Sequence, residues 1–128
     1  METMRKAEKI VDTFSPALTY SGKKELILAI KRMAQVASAN GFDDILVTKD
    51  IYPAITKAHT SLATAERALY RAIDFCWMNG NNEALSKIIG KKLPCKPQPA
   101  LFIMYCAYFY IYNEAYHKAA EKELPLLF

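Results

Sequence analysis

Apolar residues recur three and four positions apart along most of the chain, with charged residues between them, the spacing of helices buried along one face. Met4, Ala7, Ile10, Val11 and Phe14 form a first stripe that Ser15-Pro16 interrupts, which predicts a short amphipathic leader helix. Leu26, Ile27, Ile30, Met33, Ala34 and Ala37 form a second, predicting a helix over about residues 23–39 that Asn40-Gly41 ends in a left-handed turn. A brief apolar stretch at 45–47 precedes a third helical pattern with Ile51, Ile55 and Ala58. With Asp50 as its cap, Pro53 falls in the first turn, where a missing N–H costs nothing. Thr60 and Ser61 then offer hydroxyl caps for a fourth helix, about residues 62–78, with Ala65, Leu69, Ile73, Cys76 and Trp77 facing inward. Asn79-Gly80 is expected to end it as Asn40-Gly41 ends the second. Asn81 caps a short fifth helix that Gly90 closes, and residues 91–99 (KKLPCKPQP) read as a proline-broken basic connector. A last, aromatic helix begins at Ala100 and fades in the charged segment 118–123. No period-2 strand pattern and no internal repeat stands out, so the fold class is all-α, a compact bundle of five or six helices.

Composition narrows the class without changing it. At 128 residues and 52% apolar content, the chain is one domain able to bury a core without disulfide staples. It divides into a leader helix (1–20), a central body (21–99) and the aromatic helix with its tail (100–128). Seventeen basic against thirteen acidic residues give a net charge of +4, which suits a polyanionic partner but does not demand one. Three cysteines without CxxC spacing point to a reducing, cytoplasmic setting. The charged start, residues 1–9, is not a secretory signal. The apolar run 100–112 falls well short of the roughly 20 residues a membrane span needs, so it reads as a buried helix.

The common catalytic signatures, GxxxxGK[ST], GxGxxG, HExxH and GxSxG, do not occur. His59 and His117 stand apart from other ligand types, Cys76 lies on an inward stripe, and Asp43-Asp44 lies in a polar turn where solvated charge is the ordinary reading. The expectation is a protein without catalysis, cofactor, metal or small-molecule substrate.

Residues 51–77 combine a short helix, a tight polar turn and a longer helix, a helix-turn-helix pattern central to the bundle. In such units the second helix enters the major groove with its N-terminal turns against base edges. The outward positions here are Ser61, Thr64, Glu66, Arg67, Tyr70 and Arg71. Arg67 suits guanine, Glu66 suits the amino group of cytosine, and Thr64 suits a thymine methyl or a phosphate. The bland alternative is a solvated helix face.

Specific pieces of sequence add to this. V-T-K-D-I-Y-P-A-I at 47–55, A-E-R-A-L at 65–69, R-A-I-D at 71–74 and C-W-M-N-G-N-N-E-A at 76–84 resemble the C-terminal effector domain of the stage-zero sporulation protein A family. The Ile-Tyr-Pro and Trp-x-x-Gly-Asn pieces are the most specific, and weaker similarity extends over 24–33 and 89–97. The resemblance implies a six-helix, all-α domain with a central helix-turn-helix that binds double-stranded DNA as a transcription regulator. It further implies two copies in tandem on the DNA and the sigma subunit of RNA polymerase as a further partner. Glu66 and Arg67 fall on family positions that face bases, and with the outward positions Ser61, Thr64 and Tyr70 they are the residues from which base readout is expected. Phosphate contacts are expected from Lys49, Lys57, Thr60, Arg71, Lys87, Lys91 and Lys92.

Three departures qualify the transfer. The family has arginine at Thr64 and Tyr70 and histidine at Arg71, and losing one bidentate arginine removes roughly 1–3 kcal/mol of base discrimination. The family's usual protein carries a phosphorylatable receiver domain, for which residues 1–20 are too short. The last helix is more aromatic, with Tyr105, Tyr108, Tyr112 and Tyr116 as one stripe. Core packing with hydroxyls reaching water is the favoured reading of that stripe, and a homodimer contact or base stacking on single strands are its alternatives. A protein-interaction or dimerisation module on the same fold, without specific base readout, is the second functional reading.

Overall fold

The computed structural model describes residues 2–15, 21–42, 50–56 and 61–118. Among the described residues six helices follow one another, α1 (Glu2–Phe14), α2 (Ser21–Asn40), α3 (Tyr52–Thr56), α4 (Leu62–Asn79), α5 (Asn82–Ile89) and α6 (Pro99–Tyr112), and residues 116–118 are again helical. No strand occurs among the described residues. The fold is all-α, as the helical spacing predicts.

Helix α2 packs along α6 and α4 and also touches α1 and α3. Helix α6 reaches α1, α2, α4 and α5, so these two helices form the spine around which the others are laid. The predicted stripes converge on this spine: Val11 and Phe14 of α1, Leu26 and Ile30 of α2, Ile55 of α3, Leu69 and Ile73 of α4, Ile89 of α5 and Phe102 and Ile103 of α6 are all fully buried. Phe14 meets Phe102 edge to face, centroids 5.8 Å apart, joining the first helix to the last. At the rim, Lys23 holds Asp12 at 2.8 Å and Glu8 at 3.7 Å, and Lys6 lies over the Tyr110 ring at 4.7 Å.

Local signals set most helix ends. Ser61 caps α4, its Oγ accepting from the Thr64 N–H at 3.2 Å. Asn81 caps α5, its Oδ1 accepting from the N–H groups of Glu83 and Ala84. Gly41 and Gly90 take the expected left-handed conformation after α2 and α5. Losing a cap leaves helix N–H groups without a partner, so Asn81→Ala should lower stability by about 1 kcal/mol, read as a fall in the midpoint of a thermal or urea melt.

Three expectations are corrected. Gly80 does not end α4 by a left-handed turn: its φ is −83°. A glycine stands there because an added Cβ would collide with the Cys76 carbonyl oxygen of its own helix and lie 2.7 Å from the Phe14 carbonyl oxygen, to which the Asn81 N–H donates at 2.6 Å. Asp50 does not cap α3, since Asp50 and Ile51 already turn in a wider, π-type helix and Arg32 Nε donates to the Asp50 carbonyl at 3.1 Å. The last helix does not run on to residue 118. It stops at Tyr112, where Asn113 adopts φ 52° and the chain folds back on itself.

Candidate nucleic-acid interface

Helix α4 is divided lengthwise. Ala65, Ala68, Leu69, Ala72, Ile73 and Cys76 are buried, while Ser61, Leu62, Ala63, Thr64, Arg67, Arg71 and Asp74 are exposed. Thr64, Arg67, Arg71 and Asp74 fall three and four residues apart, which places them on one ridge. Helix α2 holds the helix from behind at close range: a Cβ on Gly22 would stand 2.8 Å from both the Ala68 carbonyl oxygen and the Ala72 Cβ. The ridge therefore belongs to a rigid helix and not to a loop.

Among the described residues, none engages the Arg67 or Arg71 guanidinium in a hydrogen bond or ion pair. The carboxylate at the end of the ridge, Asp74, is paired with Lys96 of the connector. That pairing offsets the negative charge nearest Arg71 and leaves the ridge basic. At its start, the Ser61 and Thr64 hydroxyls lie 3.0 Å apart and share the cap.

The two remaining outward candidates of α4 are turned sideways. Glu66 and Tyr70 are half-buried, and the Tyr70 hydroxyl donates to Glu66 Oε1. The Tyr70 oxygen also lies 3.1 Å from the hydroxyl of Tyr52, a buried residue of α3. The bond to Glu66, together with burial, raises the Tyr70 pKa, and burial raises that of Tyr52, so both hydroxyls keep their protons. The Glu66–Tyr70 spacing of four was legible in the sequence, whereas the role of Tyr52, eighteen residues from Tyr70, had no local signal.

Of the expected phosphate contacts, Arg71, Lys87, Lys91 and Lys92 are exposed. Lys49, Lys57 and Thr60 lie outside the described residues, as does the connection between α3 and α4. Lys91 and Lys92 line a cleft with Trp77, Asn82, Ser86 and Leu93 at the C-terminal end of α4. Thirteen residues of helix separate Trp77 from Thr64, about 20 Å, so a face using both groups runs along the whole of α4.

The tyrosine stripe is not one helical face. Tyr105 is buried, its hydroxyl 3.0 Å from His117 Nε2. Tyr116, beyond the break at Asn113, packs back on Tyr105 and Tyr108. Tyr108 also meets Phe42 and Tyr112. Of the four, Tyr112 is the most open, at 56% exposure.

Cys76 and Cys106 are buried, and burial pushes the Cys76 thiol up to about 11 and raises that of Cys106 as well. Neither is an activated nucleophile. Among the described residues no three His, Cys, Asp or Glu side chains cluster in a way that could hold a metal ion, and no helix is long and apolar enough to cross a membrane.

Comparison with curated proteins and with solved structures returns no match. The family described as the sporulation initiation factor Spo0A C terminal matches residues 16–109, from before α2 to within α6 and including all of α3, α4 and α5. That stretch is most of the chain, and the protein belongs to this family of DNA-binding, non-catalytic domains.

Proposed function

We propose that the protein is a sequence-specific, double-stranded-DNA-binding transcription regulator in which α3 and α4 form the helix-turn-helix and α4 is the recognition helix. The observation that carries this reading is the Thr64–Arg67–Arg71 ridge, exposed and basic along a helix whose opposite face is buried. Arg67 offers a planar pair of donors to guanine O6 and N7, Glu66 offers an acceptor to cytosine N4, and Ser61 and Thr64 meet a thymine methyl or a phosphate. Arg71, Lys87, Lys91 and Lys92, with Lys49, Lys57 and Thr60, hold phosphates and set the register without reading sequence. Two copies bind in tandem, with the sigma subunit of RNA polymerase as a further partner. A dimerisation or protein-interaction module is the second reading, favoured by Leu101 and Tyr112, 40% and 56% exposed on α6.

Fluorescence anisotropy separates the two. On a labelled family-type operator duplex the protein is expected to bind with a steep salt dependence, and more tightly than on a scrambled duplex. Each lysine that neutralises a phosphate contributes about −0.9 to the slope of log K against log salt. The triple variant Lys87→Ala, Lys91→Ala, Lys92→Ala should therefore show a shallower slope with the preference between duplexes retained. Weak binding that ignores both salt and sequence would reject DNA recognition and favour the interaction module.

A further inference from the structure

Glu66 is a weak instrument for reading a base if left to itself. A glutamate side chain has three rotatable bonds, and the half-buried carboxylate on α4 must keep one oxygen toward the groove to accept from a cytosine amino group. The structure supplies a restraint. Tyr70, one helical turn further on, donates its hydroxyl to Glu66 Oε1. Tyr70 is itself fixed, because its oxygen lies 3.1 Å from the Tyr52 hydroxyl and its ring packs against the core cluster. Tyr52 cannot swing, because its ring is buried in the core at the start of α3. The chain of contacts runs from the core through two phenols to one carboxylate oxygen.

We infer that Tyr70 is a positioning residue for base readout: anchored by Tyr52, it holds Glu66 Oε1 so that Oε2 is the oxygen presented to a cytosine amino group. This inference rests on the reading of α4 as the recognition helix. It assigns Tyr70 a role different from direct base contact, since its single hydroxyl proton is already committed to Glu66. It also bears on the loss of arginine at this position. A side chain that donates to a neighbouring carboxylate while packing on the core favours one rotamer of the reader in place of contributing a contact of its own. Both phenols stay protonated, so the restraint persists at physiological pH. The closing bond is charge-assisted, and with the Tyr70 oxygen donating to Glu66, the Tyr52 hydroxyl completes the network by donating to Tyr70.

Selection from a duplex pool with a randomised core tests this with the full chain, whatever the operator sequence is. Wild type, Tyr70→Phe and Glu66→Gln are each taken through selection, and base preference is read position by position. Melting curves are recorded alongside to show that each variant is folded. Wild type is expected to favour cytosine at one position by about fivefold or more, the lower end of a single good base contact. Glu66→Gln should abolish that preference. Tyr70→Phe, which keeps the ring and removes the hydroxyl, should reduce it to about twofold or less while preferences at other positions and the salt slope stay unchanged. Loss of the cytosine preference in Glu66→Gln with full retention in Tyr70→Phe overturns the inference and leaves Glu66 as a reader. Profiles of wild type and Glu66→Gln that coincide overturn it together with the reader role of Glu66. Should Tyr70→Phe not fold, Tyr52→Phe, which unties the Tyr70 hydroxyl from α3, carries the same expectation, and an unchanged profile there overturns the inference.

Discussion

Phe14→Ala is expected to destabilise the protein by about 3–5 kcal/mol, the range for truncating a fully buried phenylalanine, and to lower the melting midpoint by on the order of 10 °C or more. The side chain is 0% exposed and packs edge to face on Phe102, itself fully buried, so the void would open between the first and last helices. The backbone around it cannot readily collapse. Its carbonyl accepts from the Asn81 N–H at 2.6 Å and lies against Gly80, which ties the end of α1 to the start of α5. The result matters because α1 lies outside residues 16–109, the stretch that defines the family. A large loss, measured by chemical or thermal melting, makes α1 an integral part of this domain. A loss below about 1 kcal/mol would mean that α1 packs loosely and that the matched stretch carries its own core.

Arg67→Ala should remove about 1–3 kcal/mol of preference for an operator duplex over a scrambled one, on the order of five- to 150-fold, while leaving the melting midpoint unchanged. The guanidinium is exposed in the middle of the ridge and, among the described residues, none hydrogen-bonds or ion-pairs with it, so truncation breaks no polar contact with them. Arg67→Lys should lose most of the same preference, because a single ammonium cannot present two coplanar donors to guanine. Arg71→Ala is the contrast. Its expected effect is an affinity loss uniform across sequences, with the salt slope shallower by about 0.9. Competition anisotropy on the two duplexes distinguishes these patterns. Equal preference in wild type and Arg67→Ala would remove α4 from base readout and shift the weight to the exposed α6 residues Leu101 and Tyr112.

The helices were legible in proportion to how unevenly their apolar residues are spread. The second and fourth helices carry both the period and the punctuation, with Gly41 and Ser61 at their ends, the fifth is marked by Asn81 and Gly90, and α2, α4 and α5 follow these signals closely. Helix α6 is apolar on every side, so its spacing could not say which face is buried or where the helix stops. Tyr105, Tyr108, Tyr112 and Tyr116 look like one stripe only if the helix continues. The left-handed turn at Asn113 returns Tyr116 to Tyr105 and Tyr108. Gly80 shows the same limit in part, for an added Cβ would meet the Phe14 carbonyl, distant in sequence, as well as the Cys76 carbonyl of its own helix.

The outward positions of α4 divide along this line. That Thr64, Arg67 and Arg71 share a ridge follows from helical spacing alone, because a 3.6-residue turn aligns them wherever the helix lies. Spacing also places Glu66 and Tyr70 within reach of each other, yet it leaves open whether they face solvent or one another. The approach of α3 decides, bringing the Tyr52 hydroxyl to 3.1 Å from that of Tyr70 and drawing both residues sideways. Helix positions, caps and the basic ridge depend on neighbours within a turn or two, and the amino-acid sequence determines them by itself. The orientation of Glu66, the approach of the Phe14 carbonyl to Gly80 and the end of α6 depend on atoms brought together by packing, and only the tertiary structure decides them.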